Sequence, residues 1–102
     1  MRLVSLKVLK EFCVRYPDAA SGVRQWKQRM AAGSPHSFSE LRLISGSVDY
    51  VSPFTIFNIA GNKYRLITIV KYSSNSVFIR WMLTHAEYDK WTKSYHQGKT
   101  RT

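Results

Sequence analysis

The chain has 102 residues, with sixteen Lys and Arg against six Asp and Glu and a formal charge of +10 at pH 7. That length allows one domain with a modest core that folds without cross-links, and a hydrophobic content of 44% argues against disorder throughout. Cations spread along the whole length imply a polyanionic partner, since neutralising phosphates releases counterions and steers association; a solvated basic surface without a partner is the alternative reading.

Cys13 stands alone and cannot form an internal disulfide, which fits a reducing compartment. The opening M-R-L-V-S-L-K-V-L-K lacks the uninterrupted apolar core of a signal peptide, and no apolar run approaches a membrane span. The expected location is the cytoplasm. Binding to a membrane surface is disfavoured, because no helix pairs a concentrated basic face with a broad apolar one.

Arg2 to Val4 reads as a short edge strand. Ser5 is placed to cap a helix running to about Tyr16, where Pro17 stops it. Leu6, Leu9, Cys13 and Tyr16 recur at spacings of 3, 4 and 3, a single apolar stripe, with Lys7, Lys10 and Arg15 off it. Cys13 on that stripe reads as a small buried hydrophobe, with no charged neighbour in sequence to activate a thiol. Asp18 is placed to cap a second helix ending near Ala32, with Gly33 as a left-handed exit and Pro35 beyond. Val23, Trp26 and Met30 form its apolar stripe; Arg24, Lys27, Gln28 and Arg29 form a basic, polar flank. Such a run is ordinarily a solvated face, but two successive basic helices favour contact with an RNA backbone. Ser34 to Pro53, punctuated by Ser, Gly and Pro, reads as a loop with a helical turn.

From Phe54 the periodicity becomes two. Phe54 to Ile59 is a strand, Ala60-Gly61-Asn62 a tight connection, and Lys63 to Tyr72 the next strand. Ser73 to Ser76 form a second turn and Val77 to Leu83 a third strand. Closing that turn with Tyr72 opposite Val77 sets Val70 against Ile79, Thr68 against Trp81 and Leu66 against Leu83, an apolar face for the helices. The other face then pairs Lys71 with Phe78, Ile69 with Arg80, Ile67 with Met82 and Arg65 with Thr84, which brings Arg65 beside His85. Thr84 and Glu87 have capping-box spacing, and Leu83 and Tyr88 that of a hydrophobic staple, so a last helix starts at His85 and runs to about Tyr95. The remainder, about residues 96–102, is a basic tail expected to be mobile. There is no internal repeat, and residues 1–102 read as one domain.

Metal chemistry has little support: His36, His85 and His96 show no ligand spacing, and six acids are too few for a carboxylate cage. No phosphate-cradling glycine loop or Gly-x-Ser-x-Gly elbow is present, so no cofactor is expected. The residue types that remain suit cleavage of RNA by its own 2′-hydroxyl. That reaction needs a base for the hydroxyl, positive charge on the developing phosphorane and an acid for the 5′-oxygen. Arg65 suits the second task, because its planar fork holds two phosphate oxygens and stays charged; a sheet arginine paired with Glu87 or with the last helix is the plainer alternative. His85, at the first position of a helix whose dipole favours the neutral imidazole, suits proton transfer, or is simply a surface histidine. Tyr88 could exchange a proton or stack on a base, unless the staple with Leu83 accounts for it fully. Lys63, Lys71 and Arg80 are expected on Arg65's face as phosphate clamps. Asn58 is a further RNA-binding candidate, although a three-residue connection leaves its facing open.

The runs F-N-I-A-G-N-K-Y-R-L-I (57–67) and I-R-W-M-L-T-H-A-E-Y-D (79–89) together resemble the HigB family of bacterial toxins, a branch of the RelE-like mRNA interferases. The resemblance carries F-N-I-x-G-N-K-Y-R-L-I and I-R-x-x-L-T-H-A-E-Y-D, while the first half of the chain agrees in length and element order. It implies an α+β, RelE-like fold in which two N-terminal helices pack on a small antiparallel sheet and a short C-terminal helix follows. It also implies metal-independent cleavage of mRNA in the ribosomal A site, and a cognate helix-turn-helix antitoxin as partner. On this pattern Arg65, His85 and Tyr88 line the active face. Two other readings stand beside it: a non-catalytic basic RNA-binding module, and an inactivated toxin kept as an antitoxin-binding protein.

Overall fold

The computed structural model describes residues 1–96. Apart from His96, where the last helix ends, the expected mobile tail lies outside the described residues. The elements run β1 (Arg2–Val4), α1 (Lys7–Arg15), a 3-10 turn (Pro17–Ala19), α2 (Ala20–Ala32), α3 (Phe38–Ile44), β2 (Val48–Val51), β3 (Phe54–Ile59), β4 (Tyr64–Lys71), β5 (Ser76–Thr84) and α4 (His85–His96). The five strands form one sheet in the order β1-β5-β4-β3-β2, which puts β4 at its centre. β2 to β5 pair antiparallel, but β1 lies parallel to β5, with Leu3 opposite Val77. The sheet is therefore mixed and not purely antiparallel.

Both faces of the sheet are covered, and each has its own apolar cluster. On one face Phe57, Ile59, Leu66, Val77, Ile79 and Met82 meet Leu9, Phe12, Val23, Trp26, Met30 and Leu41 from the three helices α1, α2 and α3. On the other, Phe54, Ile56 and Ile67 meet Trp81 and Leu83 of β5 and Tyr88, Trp91 and Tyr95 of α4. The strands read as long apolar runs because the central ones bury side chains on both sides. Gly22 lets α2 close on the β3–β4 turn: a Cβ there would lie 2.8 Å from the Ala60 nitrogen.

The expected β4–β5 register is corrected. From Tyr64 opposite Thr84 to Ile67 opposite Trp81 the ladder is regular, and it slips by one between Ile67 and Thr68, after which Thr68 faces Ile79 and Lys71 faces Ser76. Arg80 is the additional residue of a β-bulge. The slip also reflects the turn, where Tyr72–Ser74 tighten into a 3-10 turn and Asn75 takes a left-handed conformation (φ 51°). Trp81 and Leu83 consequently point to the α4 side and Met82 to the α1–α2 side, the reverse of the expected arrangement. Arg65 stands opposite Leu83 instead of Thr84.

Other local expectations are corrected as well. Ser5 does not cap α1 through its side chain; it turns left-handed (φ 72°) and its carbonyl accepts from Val8, leaving Leu6 at the N-cap. The buried side chains of α1 are Leu9 and Phe12, while Leu6 stays 39% exposed. Asp18 lies inside the 3-10 turn and Ala19 is the N-cap of α2. Gly33 ends α2 in an extended conformation (φ −97°, ψ 157°). Within 34–53, Ser37 caps α3 by accepting from Glu40, and Val48–Val51 add a strand at the sheet edge beside β3. The capping box before α4 forms as expected: Thr84 N–H donates to Glu87 at 2.9 Å and Glu87 N–H to the Thr84 hydroxyl at 3.2 Å, a device that contributes about 1 kcal/mol.

Candidate active face

The candidate site lies where the β3–β4 turn meets the start of α4. Arg65 is half-buried on the α4 side of β4, with Asn58 opposite it on β3 and Leu83 opposite it on β5. Its Nη1 donates to the carbonyls of Asn62 at 3.1 Å and Tyr64 at 3.2 Å, and its guanidinium carbon sits 5.7 Å from the centroid of the Tyr88 ring. These contacts hold the plane by one edge and one face, in a cation–π geometry. Among the described residues no carboxylate pairs with Arg65: of the plainer alternative, the ion pair with Glu87 does not form, Glu87 being used by the Thr84 cap, whereas the contact with the last helix does, through Tyr88.

His85 opens α4, and its backbone N–H donates to the Lys63 carbonyl at 3.1 Å. The turn that orients Arg65 therefore also anchors the helix that carries His85 and Tyr88. The imidazole Nδ1 lies 3.3 Å from an oxygen of Asp89, one helical turn on, with the two side chains 55% and 60% exposed. Asp89 had no role in the reading of the sequence, although its i,i+4 spacing from His85 was visible there. Tyr88 is half-buried and stacks on Trp91 (5.8 Å, 21°), which stacks in turn on Tyr95 (5.4 Å, 8°). The Tyr95 hydroxyl donates to the Ser52 carbonyl, fixing the end of this aromatic ladder to the β2–β3 turn. Tyr88 and Leu83 share the α4 cluster, as a staple requires.

The other candidates are dispersed. Asn58 does face the same side as Arg65. Lys63 does not join that face: its Nζ lies 3.2 Å from Asp18, on the helix side. Lys71 follows Arg65 by six residues along β4, about 20 Å at strand rise, and its ammonium sits over the Phe78 ring at 5.6 Å. Arg80, at the bulge, lies over Trp81 at 5.4 Å and lines one groove with Lys71 and Phe78. The expected row of clamps is thus two separate places, the end bearing Arg65 and the far end bearing Lys71 and Arg80.

Asp18 is a residue whose task sequence reasoning missed. It accepts from the Tyr64 hydroxyl at 2.6 Å and from Lys63, tying the β3–β4 turn to the α1–α2 junction. The bond from Tyr64 and then that from Lys63 hold its carboxyl below the usual range, while the same bond pushes the Tyr64 phenol up to about 12. A depressed carboxyl contributes stability above its unfolded value, about 3.9, and loses it as pH falls through the lower folded value. Acidification should therefore destabilise the wild type more steeply than Asp18→Asn, read by urea denaturation at a series of acidic pH values; parallel curves would remove Asp18 from this role.

Cys13 is half-buried, and burial pushes its thiol up, only partly offset by Lys27. It is a packing residue, as its place on the helix suggested. Among the described residues no three His, Cys, Asp or Glu side chains are grouped so as to hold a metal ion, and no helix is long and apolar enough to cross a membrane.

A family model for HigB_toxin, the RelE-like toxic component of a toxin–antitoxin system, matches residues 19–91. The chain belongs to the HigB toxin family. The mRNA interferase toxin HigB of Escherichia coli (strain K12) is 30% identical over 102 residues, covering 97% of each chain, and the mRNA interferase HigB of Shigella flexneri matches to the same extent. The mRNA interferase HigB of Escherichia coli O6:H1 is 24% identical over 97% of this chain and 99% of its own. The HigB match spans the whole candidate face, from Asn58 through Asp89.

Proposed function

We propose that this HigB-family toxin cleaves mRNA on the ribosome, in the cytoplasm, by attack of the 2′-hydroxyl on the adjacent phosphate. The observation that carries this reading is Arg65, a guanidinium held by backbone carbonyls and the Tyr88 ring, without a carboxylate partner among the described residues, beside a turn whose Lys63 carbonyl anchors the helix bearing the His85–Asp89 pair. In the reaction the 2′-oxygen bonds to phosphorus, the bond to the 5′-oxygen breaks, one proton leaves the 2′-hydroxyl and one reaches the departing oxygen. Arg65 binds the non-bridging oxygens, where negative charge accumulates. His85 and Tyr88 supply the two proton transfers. Asp89 orients the imidazole and compensates its charge when it holds a proton, while Asn58, Lys71 and Arg80 contact the RNA on either side.

The open shape of the site supports dependence on the ribosome. His85 and Asp89 are more than half exposed on an open face, which favours a second body, the ribosome, to align the RNA for in-line attack, since alignment carries a large share of such barriers. The partner that restrains the toxin is a helix-turn-helix antitoxin. Inducing the chain in a bacterium lacking antitoxin should arrest growth, with primer extension showing cuts inside codons of translated messages and none in the same message without a start codon. Intact transcripts in arrested cells would refute cleavage, and equal cutting of the untranslated message would refute ribosome dependence.

A further inference from the structure

On the opposite side of the sheet from Arg65, α1 and α2 leave a groove of about 370 Å³ between them. Leu6, Leu9, Cys13, Ala20 and Val23 supply its apolar lining, and Lys7, Lys10, Arg24 and Lys27 its cations; among the described residues no carboxylate lines it. The lining residues recur every three or four positions along both helices, so apolar and cationic groups run side by side for about two turns. Leu6, one of the lining residues, remains 39% exposed, an apolar side chain left largely open to solvent. This combination is not the surface that would serve the proposed reaction: the groove offers no aromatic ring to stack a base, and a phosphate backbone would leave the leucines wet. It matches instead a helix that presents apolar side chains to the lining and acids to the cations on either side.

We propose that the α1–α2 groove docks an acidic, amphipathic helical segment of the antitoxin. The proposal rests on the toxin–antitoxin reading above and adds the surface and the chemistry of the partner. Apolar burial supplies the affinity, and the four cations select an acidic face and speed encounter. The sheet lies between this groove and Arg65, so the docking residues are separate from those proposed for cleavage.

The test uses two variants of the full chain, Lys10→Glu/Lys27→Glu and Leu6→Ser, all in exposed positions. Binding is measured by calorimetry between the purified cognate antitoxin and toxin carrying Arg65→Ala, so that the protein can be prepared alone; growth arrest is measured with Arg65 restored. The charge reversal should weaken antitoxin binding by at least roughly tenfold, the scale of a close charge pair across an interface, and Leu6→Ser should weaken it without changing its salt dependence. Both variants should still arrest growth when expressed alone, and antitoxin co-expression should no longer rescue the charge-reversed one. Unchanged affinity in both variants would overturn the proposal, as would lost toxicity with intact antitoxin binding, which would make the groove a contact for ribosomal RNA. A wild type that binds antitoxin but never arrests growth would defeat the proposed cleavage and leave the docking result standing.

Discussion

Replacing Arg65 with alanine should lower mRNA cleavage by about 10²–10³-fold, the usual loss when one fixed charge-stabilising donor is removed from a transition state. Growth arrest on induction should disappear with it. The fold should persist, because the hydrogen bonds of Arg65 go only to backbone carbonyls, that of Asn62 in an exposed turn and that of Tyr64 at the start of β4. Arg65→Lys should recover little, since an ammonium cannot keep both the planar contact with Tyr88 and two phosphate oxygens. Primer extension together with a thermal melt decides the matter: undiminished cutting by a folded Arg65→Ala protein would remove Arg65 from the chemistry. Tyr88→Phe discriminates further, because it keeps the ring under the guanidinium and removes only the hydroxyl.

Trp26→Ala is expected to have the largest effect on stability, about 3–5 kcal/mol for a buried aromatic. The indole is fully buried and meets Phe57 edge-on at 5.3 Å, joining α2 to the central part of the sheet. A domain of this size has about 5–15 kcal/mol in total, so the variant should be marginal or unfolded at growth temperature. Urea denaturation of an Arg65→Ala/Trp26→Ala protein against Arg65→Ala alone measures the difference without toxicity. A loss under about 1 kcal/mol would mean that the site collapses around the missing ring far better than buried aromatic positions generally do.

Features decided by neighbouring residues were legible in the sequence. Thr84 and Glu87 form their cap because both partners lie within one helical turn, and Val23, Trp26 and Met30 are buried together because one helix face can point only one way. Features decided across the chain were not. The bulge at Arg80 shows only in the pairing of β5 with β4, and no alternation within β5 announces it. That single residue moved Trp81 and Leu83 to the other side of the sheet. β2 was missed because Val48-Asp49-Tyr50-Val51 is short, half polar and bounded by Ser, Gly and Pro; its strand character comes from pairing with β3. Asp18 looked like a cap because its partners, Lys63 and Tyr64, lie more than forty positions away. At the candidate site, Arg65 and Tyr88 were recognisable and do meet, whereas the grouping of Lys63, Lys71 and Arg80 depended on a register that the bulge replaced.

The parallel pairing of β1 with β5 carries a consequence for synthesis. Arg2 is hydrogen-bonded in a ladder opposite Ser76, so β1 has no neighbour in the sheet until β5 has been made. A growing chain still threaded through the exit tunnel holds its opening helices and a half-built sheet, but not the closing helix that supplies His85 and Tyr88. Long-range closure of this kind is slow relative to local folding. A nascent copy therefore lacks the completed candidate face until β5 and α4 have both been made.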